Sequence, residues 1–306
     1  INNLCITHLR NPTAELPIMN RTYEGIRILL VHAHPDDETI NNGATMAKYA
    51  AGGAAVTLIT CTRGEEGEVL VPRLAHLASS DQDQLGTHRE GELALAMKEL
   101  GITDFRFLGA PLTRFRDSGM MGTEPNNNPD VFWQADIETA SQYLVEVIEE
   151  VKPHIMITYD EFGGYGHPDH IQAHRIAMRA SEIANWQIQK IYWNTMPKSV
   201  LAQGIEKMKE IGSDFFGAET VDDLPFAKDD SLVTTLVDGG KFVDSKLAAM
   251  KAHETQIALD GPFFALSNNL GLQIWGDEYY TLVKGKKSEP FDEHGRETDL
   301  ASGVTL

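Results

Sequence analysis

The sequence predicts an α/β fold: a Rossmann-like, mostly parallel sheet with helices on both faces, plus a smaller C-terminal α+β subdomain. Two observations predict the sheet. Short apolar runs rich in β-branched residues alternate with helical runs between residues 26 and 195, and such βαβα order is typical of parallel strands joined by helices. Polar motifs also follow two of the predicted strands. Beyond Pro197 the alternation loosens, which favours an appended smaller unit.

Local signals define each element. The run 26–31 is apolar and β-rich, and 41–51 contains helix formers that are stopped by Gly52 and Gly53. The same criteria predict further strands at 56–62, 105–108, 153–160 and 191–195, and helices at 84–100, 137–151 and from 171 onwards. In the last third they predict helices at 199–211 and 240–253, with a strand at 232–236 between them.

We expect three parts in the chain. Residues 1–24 form an N-terminal extension whose beginning is unlike the rest, with Met19 as the expected start. Residues 25–197 form a metal-binding α/β core, and residues 198–306 form a C-terminal subdomain that covers the site. A loop at 113–129, rich in Gly, Asn and Pro, is too long for a simple connector. We therefore predict that it forms a wall or lid of the site.

Composition excludes several classes of partner. The 306 residues carry a formal net charge of −19, with 42% hydrophobic residues. Such acidity argues against nucleic acid and against an anionic membrane surface. No apolar run approaches the roughly 20 residues needed to cross a bilayer. Two cysteines form no disulfide framework, so we expect a cytoplasmic protein in a reducing environment. Whether the chain forms a homo-oligomer remains open.

The first polar motif, His34-Pro35-Asp36-Asp37, comes directly after the first predicted strand. The carboxyl end of this strand is where α/β sheets place their ligands. A dinucleotide-binding fold would have glycines there. An imidazole beside two carboxylates instead indicates metal chemistry.

A second motif, His167-Pro168-Asp169-His170, follows the strand at 153–160 and a Gly-rich run that contains Tyr165. Neighbouring parallel strands bring such loops to one edge of a sheet. Asp160, at the end of this strand, is expected to cap the next turn. The two motifs together therefore predict one shared site.

A catalytic zinc ion usually takes three protein ligands and leaves a position for water. His34, Asp37 and His170 supply two nitrogens and one oxygen. Because adjacent side chains diverge in an extended loop, Asp37 can bind the metal while Asp36 faces the water as general base.

His167 is predicted as a general acid or an oxyanion stabiliser, oriented by Asp169. A role for His167 as a further metal ligand remains open. We expect the hydroxyl of Tyr165 to donate to the oxyanion that develops during amide hydrolysis.

The motifs at 33–38 and 166–170 resemble those of the LmbE-like (PIG-L type) zinc N-deacetylases. The resemblance runs from about residue 26 to the end of the chain, and it includes 60–62, 64–68, 116–120, 252–253, 255–256, 266–270 and 292–300. Within the family, the chain is most similar to the members that deacetylate N-acetylglucosaminyl-inositol in mycothiol biosynthesis.

The resemblance implies a small-molecule amino-sugar inositol substrate and one Zn²⁺ per chain, with Fe²⁺ as an alternative because such ligands do not discriminate sharply. The roles that it implies are zinc ligation by His34, Asp37 and His170, base catalysis by Asp36, acid catalysis by His167 tuned by Asp169, oxyanion contact by Tyr165, and binding of sugar or inositol hydroxyls by Arg89 and Asp117.

Two other functions remain as alternatives. One is the related amidase that cleaves mycothiol S-conjugates with the same zinc chemistry. The other is a non-catalytic nucleotide-binding module, although the first loop lacks the G-x-G-x-x-G run of dinucleotide sites.

Overall fold

The structure, a computed structural model, describes residues 22–210, 212, 214–259 and 276–306. The strands are β1 (Arg27–His32), β2 (Ala55–Thr60), β3 (Asp104–Phe107), β4 (Ile155–Thr158), β5 (Lys190–Asn194), β6 (Met196–Pro197), β7 (Ala227–Lys228), β8 (Thr235–Asp238) and β9 (Asp277–Lys284). The helices are α1 (Asp37–Ala51), α2 (Leu85–Leu100), α3 (Ile137–Val151), α4 (Gly163–Gly166), α5 (Pro168–Ile183), α6 (Lys198–Glu210) and α7 (Val243–Ala252). Most of the predicted N-terminal extension and all of the segment 266–270 lie outside the described residues.

The main sheet has seven strands in the order β3-β2-β1-β4-β5-β9-β8. The first five are parallel, which confirms the predicted α/β fold. At the centre, Leu30 of β1 lies beside Leu58 of β2 and Ile157 of β4. The strand order reverses between β1 and β4, and such a reversal is where open α/β sheets bind ligands. Both polar motifs leave the sheet from these two strands.

Helices cover both faces of the sheet. Leu30 and Leu58 pack with residues of α1, α2 and α7, whereas Leu29 and Ile59 pack with residues of α3 and α5. Successive strand residues face opposite sides, so a strand that is covered twice needs a continuous apolar run. Among the described residues, none of the helices is both long and apolar enough to span a bilayer.

The region after residue 197 differs from the expected separate subdomain. Strands β8 and β9 extend the main sheet, and α7 packs against α1 and α2. Antiparallel β9 covers the edge of β5, which would otherwise present unpaired backbone groups. Helix α6 and the short β6–β7 pair share an apolar cluster around Leu201, Met208 and Phe215.

Two helices begin earlier than their periodicity predicts. α1 begins at Asp37 and α5 at Pro168, because Pro is favoured in the first turn and acidic residues are stabilised there by the helix dipole. The polar motifs are therefore loop ends and first helical turns, which hold their side chains more firmly than a loop alone would.

Candidate metal centre and active site

Three side-chain atoms from the two motifs lie close together. His34 Nδ1 lies 3.3 Å from Asp37 Oδ2, His170 Nε2 lies 3.3 Å from the same oxygen, and the two nitrogens are 3.3 Å apart. Ligands at about 2.0–2.1 Å from a tetrahedral zinc ion are separated by about 3.3 Å. The predicted ligand set thus has the spacing of three corners of a tetrahedral site.

The electrostatics of this cluster also favour a cation. Burial acts to lower the pKa of His34, but the carboxylates of Asp117, Asp169 and Asp37 raise it well above its usual value. Asp37 lies on the Nδ1 side of the His34 ring, whereas Asp117 and Asp169 lie at Nε2, so carboxylates flank the ring on both sides. The donor set, two imidazoles and one carboxylate, is of the kind that zinc takes in catalytic sites.

His167 also lies beside these ligands. Its ring centroid is 4.6 Å from that of His34 and 5.0 Å from that of His170, and nitrogens of the three histidines lie within 4.8 Å of one another. A ligand role for His167 therefore stays geometrically open.

Asp169 contacts a different histidine from the one that we expected. Its carboxylate lies 3.2 Å from His34 Nε2 and accepts hydrogen bonds from the backbone N–H and the hydroxyl of Ser118. Carboxylates behind a metal-binding histidine orient its ring. Only the backbone N–H of Asp169 reaches His167, where it donates to Nδ1 at 3.1 Å. The side chain of Asp169 thus serves His34 because the 113–129 loop holds it there.

That backbone contact determines the hydrogen-bonding state of His167. Because Nδ1 accepts a hydrogen bond, Nε2 carries the proton in the neutral ring. Burial, together with the charges of His34 and His170, lowers the pKa of His167 to about 2. A neutral Nε2–H is a hydrogen-bond donor, which favours oxyanion stabilisation over a histidine that is charged before the reaction begins.

Asp36 has an unusual backbone conformation. Its φ is +116°, a region that L-residues rarely adopt and that often marks functional sites. The backbone N–H of Asp36 donates to Glu38 at 3.0 Å, and its Oδ2 lies 3.3 Å from Arg89. Burial raises the pKa of Asp36 to about 6, with Arg89 acting to lower it and Asp37 to raise it. Such a carboxylate is a better proton acceptor than an ordinary one.

The side chains of Arg89 and Asp117 both form hydrogen bonds with the backbone of the protein. Arg89 is 3% exposed and donates to the carbonyls of Gly64, at 2.9 Å, and Pro35. Asp117 is equally buried and accepts the N–H groups of Gly119 at 2.8 Å and Glu66 at 3.2 Å. These contacts position the loops around Asp36 and His34. A role in holding substrate hydroxyls remains a prediction for both.

Sequence reasoning missed Tyr159. Its hydroxyl donates to Asp37 Oδ2 at 2.7 Å and accepts the Ala33 N–H at 2.9 Å. Its ring also stacks on His170, with the centroids 4.3 Å apart. Tyr159 therefore touches two predicted ligands at once. A tyrosine at the end of an apolar strand carries no local signal of this role.

A buried pair of side chains supports the backbone of Asp36, the predicted general base. Glu38 and His253 are fully buried, and Glu38 Oε1 lies 3.1 Å from His253 Nε2. The other oxygen of Glu38 accepts the Asp36 N–H. The end of α7 thus holds the conformation of Asp36, and only the family resemblance drew attention to His253 in the sequence.

A cavity of about 410 Å³ opens beside the metal centre. Its inner end is formed by Asp36, Asp37, His170 and Tyr165, of which Tyr165 is 41% exposed. The Tyr165 ring lies 4.9 Å from that of His170, between centroids. The volume falls in the range of small-molecule sites, so the cavity can hold more than the acetamide group alone.

Solved structures share this fold. N,N'-diacetylchitobiose deacetylase from Pyrococcus horikoshii matches with a TM-score of 0.54 and 18% identity, covering 88% of each chain. The 4-carboxy-2-hydroxymuconate hydratase GalB from Pseudomonas putida matches with a TM-score of 0.56 and 18% identity, covering 87% of this chain and all of that one. These likenesses concern the fold alone, and one fold can carry different reactions.

Sequence relatives are much more similar. Proteins described as 1D-myo-inositol 2-acetamido-2-deoxy-alpha-D-glucopyranoside deacetylase are 56% identical in Geodermatophilus obscurus and 54% identical in Streptomyces avermitilis. The alignments cover 91% of this chain and 98% and 97% of the two relatives, respectively. Residues 29–181 match the family model PIG-L, described as GlcNAc-PI de-N-acetylase. The resemblance seen in the motifs is confirmed, and the chain belongs to the PIG-L family.

Proposed function

We propose that the protein is a zinc-dependent deacetylase that hydrolyses the N-acetyl group of 1D-myo-inositol 2-acetamido-2-deoxy-α-D-glucopyranoside to glucosaminyl-inositol and acetate, a step of mycothiol biosynthesis. The observation that carries this proposal is the cluster of His34, Asp37 and His170 at mutual distances of 3.3 Å, with Asp36 beside it. The names of the relatives that are more than 50% identical support the substrate.

Different residues of the chain have different roles in the proposed hydrolysis. A divalent cation at the three ligands would polarise the acetamide carbonyl and lower the pKa of a water molecule. Asp36 takes a proton from the attacking water, since its raised pKa of about 6 suits a general base near neutral pH. Arg89 and Glu38 keep Asp36 in its conformation.

Two donors serve the carbonyl oxygen as it becomes negative. His167 donates through Nε2, the nitrogen that the backbone of Asp169 leaves free. The hydroxyl of Tyr165 is the second donor, on the wall of the cavity. The leaving amine needs a proton, and Asp36 can return the one that it has taken up. In this scheme the His167 ring is neutral when the reaction begins.

We infer zinc as the native metal, with iron as the alternative, because two imidazoles and a carboxylate suit both ions. We also infer a cytoplasmic location from a chain with only two cysteines, since secreted proteins more often rely on disulfides.

The test is a product assay. Purified protein is incubated with N-acetylglucosaminyl-inositol, and free amine and acetate are measured before and after chelation and after zinc is restored. We expect turnover that chelation abolishes and zinc recovers. Turnover that survives complete metal removal would reject the metal-dependent mechanism.

The related amidase activity is measured in parallel. A mycothiol S-conjugate serves as the second substrate under the same conditions. We expect the higher kcat/KM for N-acetylglucosaminyl-inositol. A higher kcat/KM for the conjugate would assign the protein to the amidase instead.

A further inference from the structure

The lining of the cavity also includes Asp160, Phe216, Phe226 and Lys228, which are not among the predicted metal ligands and are here called the outer wall. Asp160 follows β4 in the core, whereas the other three residues come from the part of the chain between α6 and β8. Lys228 Nζ lies 2.6 Å from Asp160 Oδ2, so an ion pair joins the two parts. The outer wall has no role in the hydrolysis described above.

The ion pair retains hydrogen-bonding capacity. An ammonium group has three donors and a carboxylate has about four acceptor positions. Among the described residues, the hydrogen-bond and ion-pair contacts of the Asp160 side chain are Lys228 and the N–H of Gly164, which donates to Oδ1 at 2.8 Å. The side chains of Lys228 and Asp160 are 26% and 12% exposed. A donor and an acceptor are thus held side by side, which matches two adjacent hydroxyl groups of a polyol.

Aromatic rings complete the outer wall. The rings of Phe216 and Phe226 lie 6.1 Å apart between centroids and are nearly perpendicular. Phe216 is 43% exposed, so part of its surface is open to a ligand. A saturated ring that carries hydroxyls at its edge also has apolar C–H faces, and an aromatic side chain can cover such a face.

The charges on the wall favour an uncharged ligand. Among the described residues that line the cavity, Lys228 is the single Lys or Arg, and Asp160 already neutralises it. Phosphate groups are usually held by Arg or by several cationic groups. A phosphorylated ring would therefore find no free positive charge on this wall.

We propose that the outer wall is a subsite for an uncharged polyhydroxylated ring, the part of the substrate that lies beyond the acetamido sugar. Lys228 and Asp160 bind adjacent hydroxyls of this ring, and Phe216 packs against its apolar face. The inference rests on the proposed function and adds to it the residues that select a two-ring substrate over a single N-acetyl sugar.

The experiment compares two substrates in the holoenzyme. One is N-acetylglucosaminyl-inositol, and the other is methyl N-acetyl-α-D-glucosaminide, which lacks the second ring. Lys228→Met should raise KM for the two-ring substrate about 10-fold or more, the usual effect of losing a hydrogen bond to a charged group. The kcat/KM for the methyl glycoside should change by less than about 2-fold, because that substrate leaves the outer wall empty.

The matched control is Lys207→Met. Lys207 forms a similar ion pair, with Glu210 at 2.7 Å, on α6 away from the cavity. This variant should behave as wild type with both substrates. Zinc content and the thermal unfolding temperature of each variant show whether it is folded. Phe216→Ala is a second variant on the outer wall. Like Lys228→Met, it should raise KM for the two-ring substrate and leave kcat/KM for the methyl glycoside nearly unchanged.

A competition assay tests the charge preference. Free myo-inositol should compete with the two-ring substrate, and Lys228→Met should weaken that competition. It should inhibit hydrolysis of the methyl glycoside weakly or not at all. Inositol monophosphate should compete less well than myo-inositol in the wild type. Stronger competition by the phosphate would overturn the proposed preference for an uncharged ring.

Equal losses with both substrates in both outer-wall variants would overturn the subsite and leave the deacetylase function standing. Unchanged KM for the two-ring substrate in both variants would do the same. A wild-type protein that deacetylates neither substrate would reject the proposed function and the subsite with it.

Discussion

A single oxygen, Asp37 Oδ2, connects most of the predicted metal ligands and their supports. It accepts hydrogen bonds from the His34 backbone and the Tyr159 hydroxyl, and it lies 3.3 Å from a nitrogen of each ligand histidine. Burial acts to raise the pKa of Asp37, but His170 and His34 lower it well below its usual range. The carboxylate is therefore ionised and oriented, as a metal ligand must be.

Replacing the proposed base should separate metal binding from turnover. We expect Asp36→Asn to retain about one zinc per chain and to lose about 10²- to 10⁴-fold in kcat, the usual contribution of a general base. Asn tolerates the positive φ of this position better than most residues. Metal analysis and steady-state kinetics check both points. Turnover equal to wild type would remove Asp36 from the mechanism.

The pKa of Asp36 also predicts a pH dependence. The base must be ionised, so kcat/KM should fall as the pH falls through the pKa of Asp36, which is about 6. A bound cation nearby lowers the pKa of a carboxylate, so we expect the acid limb at or below pH 6. A pH–rate profile measures it. If the same limb persists in Asp36→Asn, another group is responsible.

Tyr159 should control metal affinity without being a ligand. Tyr159→Phe removes the hydroxyl that donates to Asp37 and leaves the Ala33 N–H without its partner. We expect zinc affinity to fall about 10-fold or more, as for other groups that orient metal ligands. Competition with a chromophoric chelator measures it. Tyr143→Phe, on α3, is the matched control, and an equal effect in both variants would reject the assignment.

At the scale of elements, a buried ion pair holds the C-terminal tail against the sheet. Glu297 is fully buried and bonds Lys190 of β5 at 2.6 Å, together with Tyr192 and Thr235. The segment after β9 thus connects strands from both halves of the chain. Burial of such a pair fixes how these elements fit together, since each charge needs its partner.

Glu297→Ala should therefore destabilise the fold. The change leaves Lys190 buried without its counter-ion, and we expect the free energy of unfolding to fall by about 3–5 kcal/mol. Urea denaturation at neutral pH measures the change. Glu150→Ala removes an exposed pair with Arg106 and should cost no more than about 1 kcal/mol. Similar losses in both variants would contradict the anchoring role.

At the scale of the whole molecule, the candidate metal centre lies where the two halves of the sheet meet. His34 follows β1, and His170 lies in the first turn of α5, which comes after β4 in the chain, so one ion would link the segments that follow these two strands. Binding that requires the folded arrangement stabilises the fold by mass action. The site should therefore influence global stability as well as activity.

Metal removal should lower the unfolding temperature. Zinc at about 100 times its Kd adds about 2.7 kcal/mol to the free energy of unfolding. Calorimetry of the wild type, with zinc and with chelator, measures the shift. His34→Ala should show almost no zinc-dependent shift because one ligand is missing. A shift of wild-type size in that variant would place the stabilising ion elsewhere.

Local patterns were sufficient for much of the fold. Apolar runs and glycine stops predicted β1, β2, β4 and β5 within a few residues. They did not predict β9 (Asp277–Lys284), because its pairing with β5 depends on an edge that forms only in three dimensions. The apparent loosening after residue 197 has the same cause, since these strands return to the sheet from far along the chain.

The sequence by itself determined the parallel core, the family and the chemically suited set of His34, Asp36, Asp37 and His170, because strand periodicity and ligand type are encoded within short windows. Tertiary structure alone decided that the Asp169 carboxylate serves His34, that Tyr159 bonds Asp37, and that Asp160 meets Lys228. Those pairings join residues 68–135 positions apart in the chain. Packing of the whole chain selects such partners, and no local pattern specifies them.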